Sequence, residues 1–322
     1  MLASPPALSV VGAPFAEGQP LDGVDLGPQA LRDTGLRQTI TGLGWRYEDQ
    51  GDIEPAAGPP PGTPDTGLSA RNAYSVLETN RRLAEAVRAE AERGRFVLTL
   101  GGDHSVALGS IAGLLQAGRD TSVLWVDAHA DINTPDGSPS GNMHGMPVAL
   151  LMKLVDGASM PGGSWLADVP ALDPSRIVYV GLRDVDVFER KMIAKHGIKS
   201  FSMREVDKYG IGRVMEEALD HVNKGGLRPL HMSYDIDAVD PSIAPETGTK
   251  VHGGLSFREA HYVAEEAALS GLLSSMDMVE VNPSLGAAGR RGVSPKAVRS
   301  GGAQTAAAAS HIIASALGKA IM

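Results

Sequence analysis

The 322-residue chain carries a formal net charge of −9 with 43% hydrophobic and 21% charged residues, an ordinary globular composition with ample material for a core. No basic stripe marks a nucleic-acid face, no run reaches the ~18 apolar residues a membrane span needs, and cysteine is absent. The last point excludes disulfides, thiolate metal sites and a cysteine nucleophile. Because the first six residues lack a basic stretch and lead directly into an apolar segment, they do not read as a signal peptide, and a cytoplasmic setting is expected.

In chain order, residues 8–11 read as a first strand, and a helix begins at Gly27-Pro28. A short strand is expected over 45–48, and residues 56–65, rich in proline and glycine, form a surface loop. The Ala-, Glu-, Arg- and Leu-rich stretch 71–93 is the clearest helix. Strand 96–100, helix 105–116 and strand 122–127 follow, then a long polar loop to His144. Further strands are expected over 177–180, 198–201, 228–235 and 272–279, with helices over 186–196, 213–223 and 257–269. An alanine-rich helix from Pro295 closes the chain. Strands alternating with helices and no shift in composition predict one domain spanning 1–322, with about eight mostly parallel strands in a doubly wound α/β sheet. A closed (β/α) barrel is the rival topology.

Two acidic clusters follow directly on apolar runs: Asp127-Ala128-His129-Ala130-Asp131 and Asp235-Ile236-Asp237. Alternate residues of a strand share a face, so Asp127, His129 and Asp131 would converge if the strand stayed extended, as would Asp235 with Asp237. A third strand leads into Gly101-Gly102-Asp103-His104-Ser105. Four carboxylates and two imidazoles are thereby gathered at the carboxyl ends of strands, where ligands bind in open α/β sheets. Unpaired, such carboxylates repel one another. Oxygen and imidazole donors without thiolate suit a hard or borderline divalent ion such as manganese. Four aspartates balance two divalent ions, with a bridging hydroxide as the excess anion.

The segments Gly101-Gly102-Asp103-His104-Ser105, Asp127-Ala128-His129-Ala130-Asp131-Ile132-Asn133 and Ser233-Tyr234-Asp235-Ile236-Asp237-Ala238-Val239-Asp240-Pro241 resemble the ureohydrolase family, arginases in particular, over about residues 10–282. The resemblance implies the open parallel sheet. It implies a binuclear Mn²⁺ centre in which His104 and Asp131 bind one ion, His129 and Asp237 the other, and Asp127 and Asp235 bridge. It further implies hydrolysis of the L-arginine guanidinium to L-ornithine and urea by a metal-bridging hydroxide, which Asp131 would steer. His144 would shuttle protons to the leaving amine, and Glu280 would pair with the guanidinium. Read from residues alone, Glu280 could instead form a salt bridge with Arg183. Asn133, Ser140 and Asn142 offer neutral donors that would read the substrate's carboxylate. Asp186 and Glu189 would accept from its α-ammonium, although either also suits the first turn of a helix. Thr249 closes the site by resemblance only. Asp103 reads as holding its turn or a ligand imidazole from behind, Asp240 as a turn residue or one just outside the ligands, and His196, His221, His231, His252 and His261 as packing or surface histidines.

Val187-Phe188 stands where arginases usually carry Pro-Gly, and Lys250 where a small or apolar residue is usual. Arg258-Glu259 matches a pair used between arginase subunits, so a homo-trimer or homo-hexamer is expected. The near alternative is an agmatinase or guanidinobutyrase, which shares the metal core but has no need for a carboxylate-reading loop.

Overall fold

The computed structural model describes residues 6–61, 63, 67–224, 226–287 and 303–319. Eight strands, β1 (Ala7–Ala13), β2 (Arg46–Asp52), β3 (Phe96–Gly101), β4 (Ser122–Val126), β5 (Ile177–Leu182), β6 (Lys199–Ser202), β7 (Leu230–Asp235) and β8 (Leu273–Val279), join in one sheet. Their order is β2-β1-β3-β8-β7-β4-β5-β6, and every pairing is parallel. The sheet is open, and the barrel alternative is rejected.

Helices α1 (Gly27–Asp33), α2 (Leu36–Gly42), α3 (Ala73–Glu92), α4 (Ala107–Gln116), α5 (Pro147–Leu151), α6 (Val187–His196), α7 (Met203–Val222), α8 (Phe257–Leu269), α9 (Ser284–Ala287) and α10 (Ala303–Ala316) surround it. Strand residues alternate between two cores. Leu98, Leu124, Val126, Met232 and Met276 pack with α1, α2, α7, α8 and α10 on one face. Val97, Val123, Trp125 and Tyr179 pack with α3, α4 and α5 on the other. Strands buried on both faces become continuous apolar runs, which is why β3, β4, β5 and β7 are readable in the sequence. No described helix is long and apolar enough to cross a membrane.

Two expectations are corrected. The strand expected over 45–48 runs to Asp52, because Arg32 draws in Asp49 and Asp52 by ion pairs; this edge strand has no apolar pattern to reveal it. The helix expected over 213–223 begins at Met203, where Ser202 and Glu205 form a reciprocal capping box. Gly210, at φ 78°, interrupts its periodicity. The closing helix is seen over Ala303–Ala316, and residues 295–302 lie outside the described residues. The described part of 56–65 has neither helix nor strand.

Gly102 lets the β3 turn cross the backbone after β1. Its N–H donates to the Ala13 carbonyl at 2.8 Å, and a Cβ built on it would stand 1.8 Å from the Phe15 carbonyl oxygen. Backbone cannot yield as a flexible side chain can. Gly102→Ala is expected to cost about 1–3 kcal/mol through overpacking, read as a thermal midpoint several degrees lower by calorimetry; an unchanged midpoint would show that the crossing is not tight.

Candidate metal centre

The four central strands, β3, β8, β7 and β4, all deliver residues at their carboxyl ends. After β3, Asp103 caps a single 3₁₀ turn, accepting from Ser105 N at 3.0 Å and Gly18 N at 2.8 Å, and His104 opens that turn. β4 stops at Val126, so Asp127, His129 and Asp131 do not converge by strand alternation. They converge through a turn. The Asp127 carboxylate accepts from the His129 N–H at 2.7 Å, and Asp131 adopts φ 49°, a left-handed conformation uncommon outside glycine. β7 ends in a second 3₁₀ turn, where Asp235 accepts from Asp237 N at 2.8 Å. Beyond β8, Glu280 at φ 62° turns its carboxylate to accept from His104 N at 2.9 Å. Two strained non-glycine residues in one small site mark a backbone held for function.

His104 Nδ1 lies 3.0 Å from Asp127, 3.1 Å from Asp131 and 3.2 Å from Asp235. Although buried, it has no hydrogen-bond partner among the described residues. His129 Nδ1 is 3.1 Å from Asp237 and 3.4 Å from Asp127. The ligand atoms form two groups, His104-Asp127-Asp235 and Asp127-His129-Asp237, that share Asp127. Electrostatics tell the same story. Burial alone would lower the imidazole pKa values, yet the surrounding carboxylates raise both His104 and His129 well above the usual histidine range. Burial and mutual repulsion raise Asp131 and Asp235, while Asp127, between two imidazoles, is lowered despite its burial. Such a cage demands positive charge, and an imidazole nitrogen aimed at three carboxylate oxygens is the donor set of a divalent cation.

Behind the cage, a polar scaffold fixes the imidazole. His104 Nε2 lies 3.0 Å from Ser233 Oγ, which leaves Nδ1 for the cage. Asp277, fully buried on β8, accepts from Ser110 Oγ at 2.5 Å, contacts His231 Nε2 at 3.0 Å and reaches Ser233 Oγ at 3.5 Å. The Trp125 indole donates to Asp127 at 2.9 Å and stacks on the His104 ring, centroids 4.3 Å apart. Tyr179 donates to the Ala130 carbonyl at 2.7 Å and braces the turn. Asp277, Ser233 and Trp125 escaped the sequence reading, since a residue behind a ligand has no spacing signature. His231, expected as a packing histidine, is one by burial, and its partner belongs to this scaffold.

A cavity of about 320 Å³ opens beside the cage, lined by His129, Asp131, Asp235, Asn133, Ser138, Ser140, Asn142, His144, Asp186, Glu189 and Thr249. Every expected substrate-side residue except Glu280 lines it; Glu280 lies beneath His144, 3.5 Å from its Nδ1. Ser138 was missed. A larger groove of about 810 Å³ between α6 and α7 carries no carboxylate and offers no cation chemistry. Asn133 donates to Asp186 at 2.8 Å, and Asp186 and Glu189 form the capping box of α6, as the first-turn reading of these acids expects. Burial and the nearby Asp131 carboxylate push the Glu189 carboxyl up to about 8. Burial would depress His144, but Glu280 and Asp131 raise it to about 9. Thr249 Oγ1 donates to Asp237 at 2.8 Å. Arg183 donates to the carbonyls of Asp237, Ala238 and Val251, so the Arg183–Glu280 pair is not formed. Asp240 caps its own turn by accepting from Ser242, Gly253 and Gly254 backbone N–H groups.

Ser233→Ala would leave His104 Nε2 without its partner. Metal affinity of the stripped protein, measured by calorimetric titration, is expected to fall about 10- to 100-fold with the fold intact by circular dichroism; undiminished affinity would remove Ser233 from the scaffold.

The arginase family model matches residues 6–318. An arginase from Glaciozyma antarctica is 48% identical over 290 residues, covering 89% of this chain and 83% of that protein. Arginase-1 of Mus musculus is 46% identical over 288 residues, 89% of this chain and 88% of its own. The solved arginase of Bacillus caldovelox superposes with a TM-score of 0.86 at 37% identity, covering 99% of this chain and 100% of that one. The chain belongs to the arginase family.

Proposed function

We propose that this chain is a binuclear manganese arginase that hydrolyses L-arginine to L-ornithine and urea. Family membership supports a hydrolase of the arginase type, and the observation that carries the finer reading is the orphaned His104 Nδ1 facing three carboxylates beside a cavity lined with both donors and acids. One cation would be held by His104, Asp127, Asp131 and Asp235, the other by Asp127, His129 and Asp237. Asp127 serves both groups, while Asp235 stands with the His104 group. When bound, a pair of divalent cations can bring the pKa of a shared water toward about 7, and a resonance-stabilised guanidinium carbon needs so strong a nucleophile.

The chain's own residues do the rest. Glu280, with one oxygen occupied by His104 N, keeps the other for a charge-assisted bond to the guanidinium. His144, raised to about 9 by Glu280 and Asp131 despite its burial, holds its proton at neutral pH and can deliver it to the leaving amine. Asp131 can receive and pass on the proton released by the attacking water. Asn133, Ser138, Ser140 and Asn142 present neutral polar groups to the substrate carboxylate, and Asp186 and Glu189 accept from its ammonium. Thr249 holds the Asp237 carboxylate in place. A trimer or hexamer and a cytoplasmic setting belong to the same reading: Arg258 is exposed, whereas Glu259 is engaged in capping α8.

Protein reconstituted with Mn²⁺ should release urea from arginine with kcat/KM well above that for agmatine, and chelation should abolish turnover and lower the thermal midpoint. A preference for agmatine would instead establish the amidinohydrolase alternative. Asn142→Ala should raise KM for arginine far more than for agmatine, because only arginine has a carboxylate to lose; equal effects on both would take Asn142 out of substrate recognition.

A further inference from the structure

The loop after Asn133 and the first turn of α6 face each other across the cavity, and their junction is built from three contacts. Asn133 donates to Asp186 at 2.8 Å, and Ile132 N donates to Glu189 at 3.4 Å. The third contact is apolar: a Cβ built on Gly137 would stand 2.5 Å from Cδ1 and Cε1 of Phe188, so the ring lies directly against the Gly137 backbone. Phe188 is half-buried, whereas its neighbour Val187 is 66% exposed, so the phenyl group has turned inward onto the loop.

The contact matters because of what each side carries. Gly137 lies in the turn that Gly137 N and Ser138 N close by donating to the Thr134 carbonyl, and Ser138 continues it by accepting from Gly141 N at 3.0 Å. Ser138 and Asn142 of that turn offer donors, while Asp186 and Glu189 on α6 offer acceptors. An α-amino acid carries carboxylate and ammonium on one carbon. Reading both therefore requires donors and acceptors at a fixed separation, and a loop ordered only by its own turn would not keep one.

We propose that Phe188 is a positioning residue for the amino-acid end of the substrate: its ring braces Gly137 and holds the donor loop at a set distance from the acids of α6. This rests on the arginase reading above. A ligand lacking the carboxylate has no use for that spacing, so the effect falls on binding of the amino-acid group rather than on the chemistry.

The test uses manganese-loaded protein, three single variants and one double variant. In Phe188→Ala, KM for arginine and the calorimetric Kd for L-ornithine should both rise about tenfold, within the range by which contacting residues couple, with kcat within about twofold and putrescine binding unmoved. Phe188→Leu, which keeps apolar bulk, should restore most of the affinity even if the alanine variant folds poorly. Gly137→Ala should weaken ornithine binding in the parent and do so much less in the Phe188→Ala background, where the ring no longer obstructs the new methyl. Unchanged ornithine affinity in Phe188→Ala, parallel loss of kcat and putrescine binding, or simple additivity of the two substitutions would each overturn the proposal. Failure of the unmodified protein to release urea from arginine would instead count against the underlying activity and leave the ornithine and putrescine comparison to judge Phe188 separately.

Discussion

Four aspartates and two imidazoles crowd the ends of three strands near the middle of the sheet, and their mutual electrostatics organise everything around them. Three carboxylates within 3.2 Å of one buried imidazole nitrogen cannot be stable as an uncompensated cluster in a medium of low polarity. The protein meets part of that demand with backbone N–H groups, which donate to Asp127, Asp235, Asp103 and Glu280. The remainder calls for cations. A parallel sheet suits such a site because every strand ends on the same side, so short turns alone bring residues distant in sequence into contact.

The site is layered outward from the sheet. Ser233, Asp277 and Trp125 hold His104 and Asp127 from below and behind. Above, the cavity is walled by a polar loop on one side and by the acidic first turn of α6 on the other. Asp186 and Glu189 cap the helix with the same carboxylates that face the cavity, so the geometry of recognition is tied to the stability of α6. Of the positively charged groups of the larger neighbouring groove, Arg190, Lys199 and Arg204 do not line this acidic chamber, and Arg183 is spent on the carbonyls of Asp237, Ala238 and Val251.

Much of this was legible in the chain. Interior strands buried on both faces leave unbroken apolar runs, and ligands grouped within two or four residues of one another leave a pattern that survives without any contact information. Elements held by charge or by glycine left little trace: β2 depends on Arg32 reaching Asp49 and Asp52, and α7 carries Gly210 in its interior. Even the clustering of these side chains was reached by an incorrect geometric route, since the alternation of an extended strand does not operate beyond Val126.

Composition and local pattern were enough to predict the parallel α/β architecture, the gathering of six His and Asp side chains at strand ends and the acidic nature of the site, because each rests on periodicity or on close neighbours in the chain. The turn that gathers Asp127 and Asp131, the Asp277–Ser233–His104 support, the release of Glu280 from Arg183 and the seating of Phe188 on Gly137 emerged only in three dimensions. Each joins residues separated by tens to more than a hundred positions or depends on a left-handed backbone, and no local pattern encodes a contact between segments whose approach is set by the packing of the whole sheet.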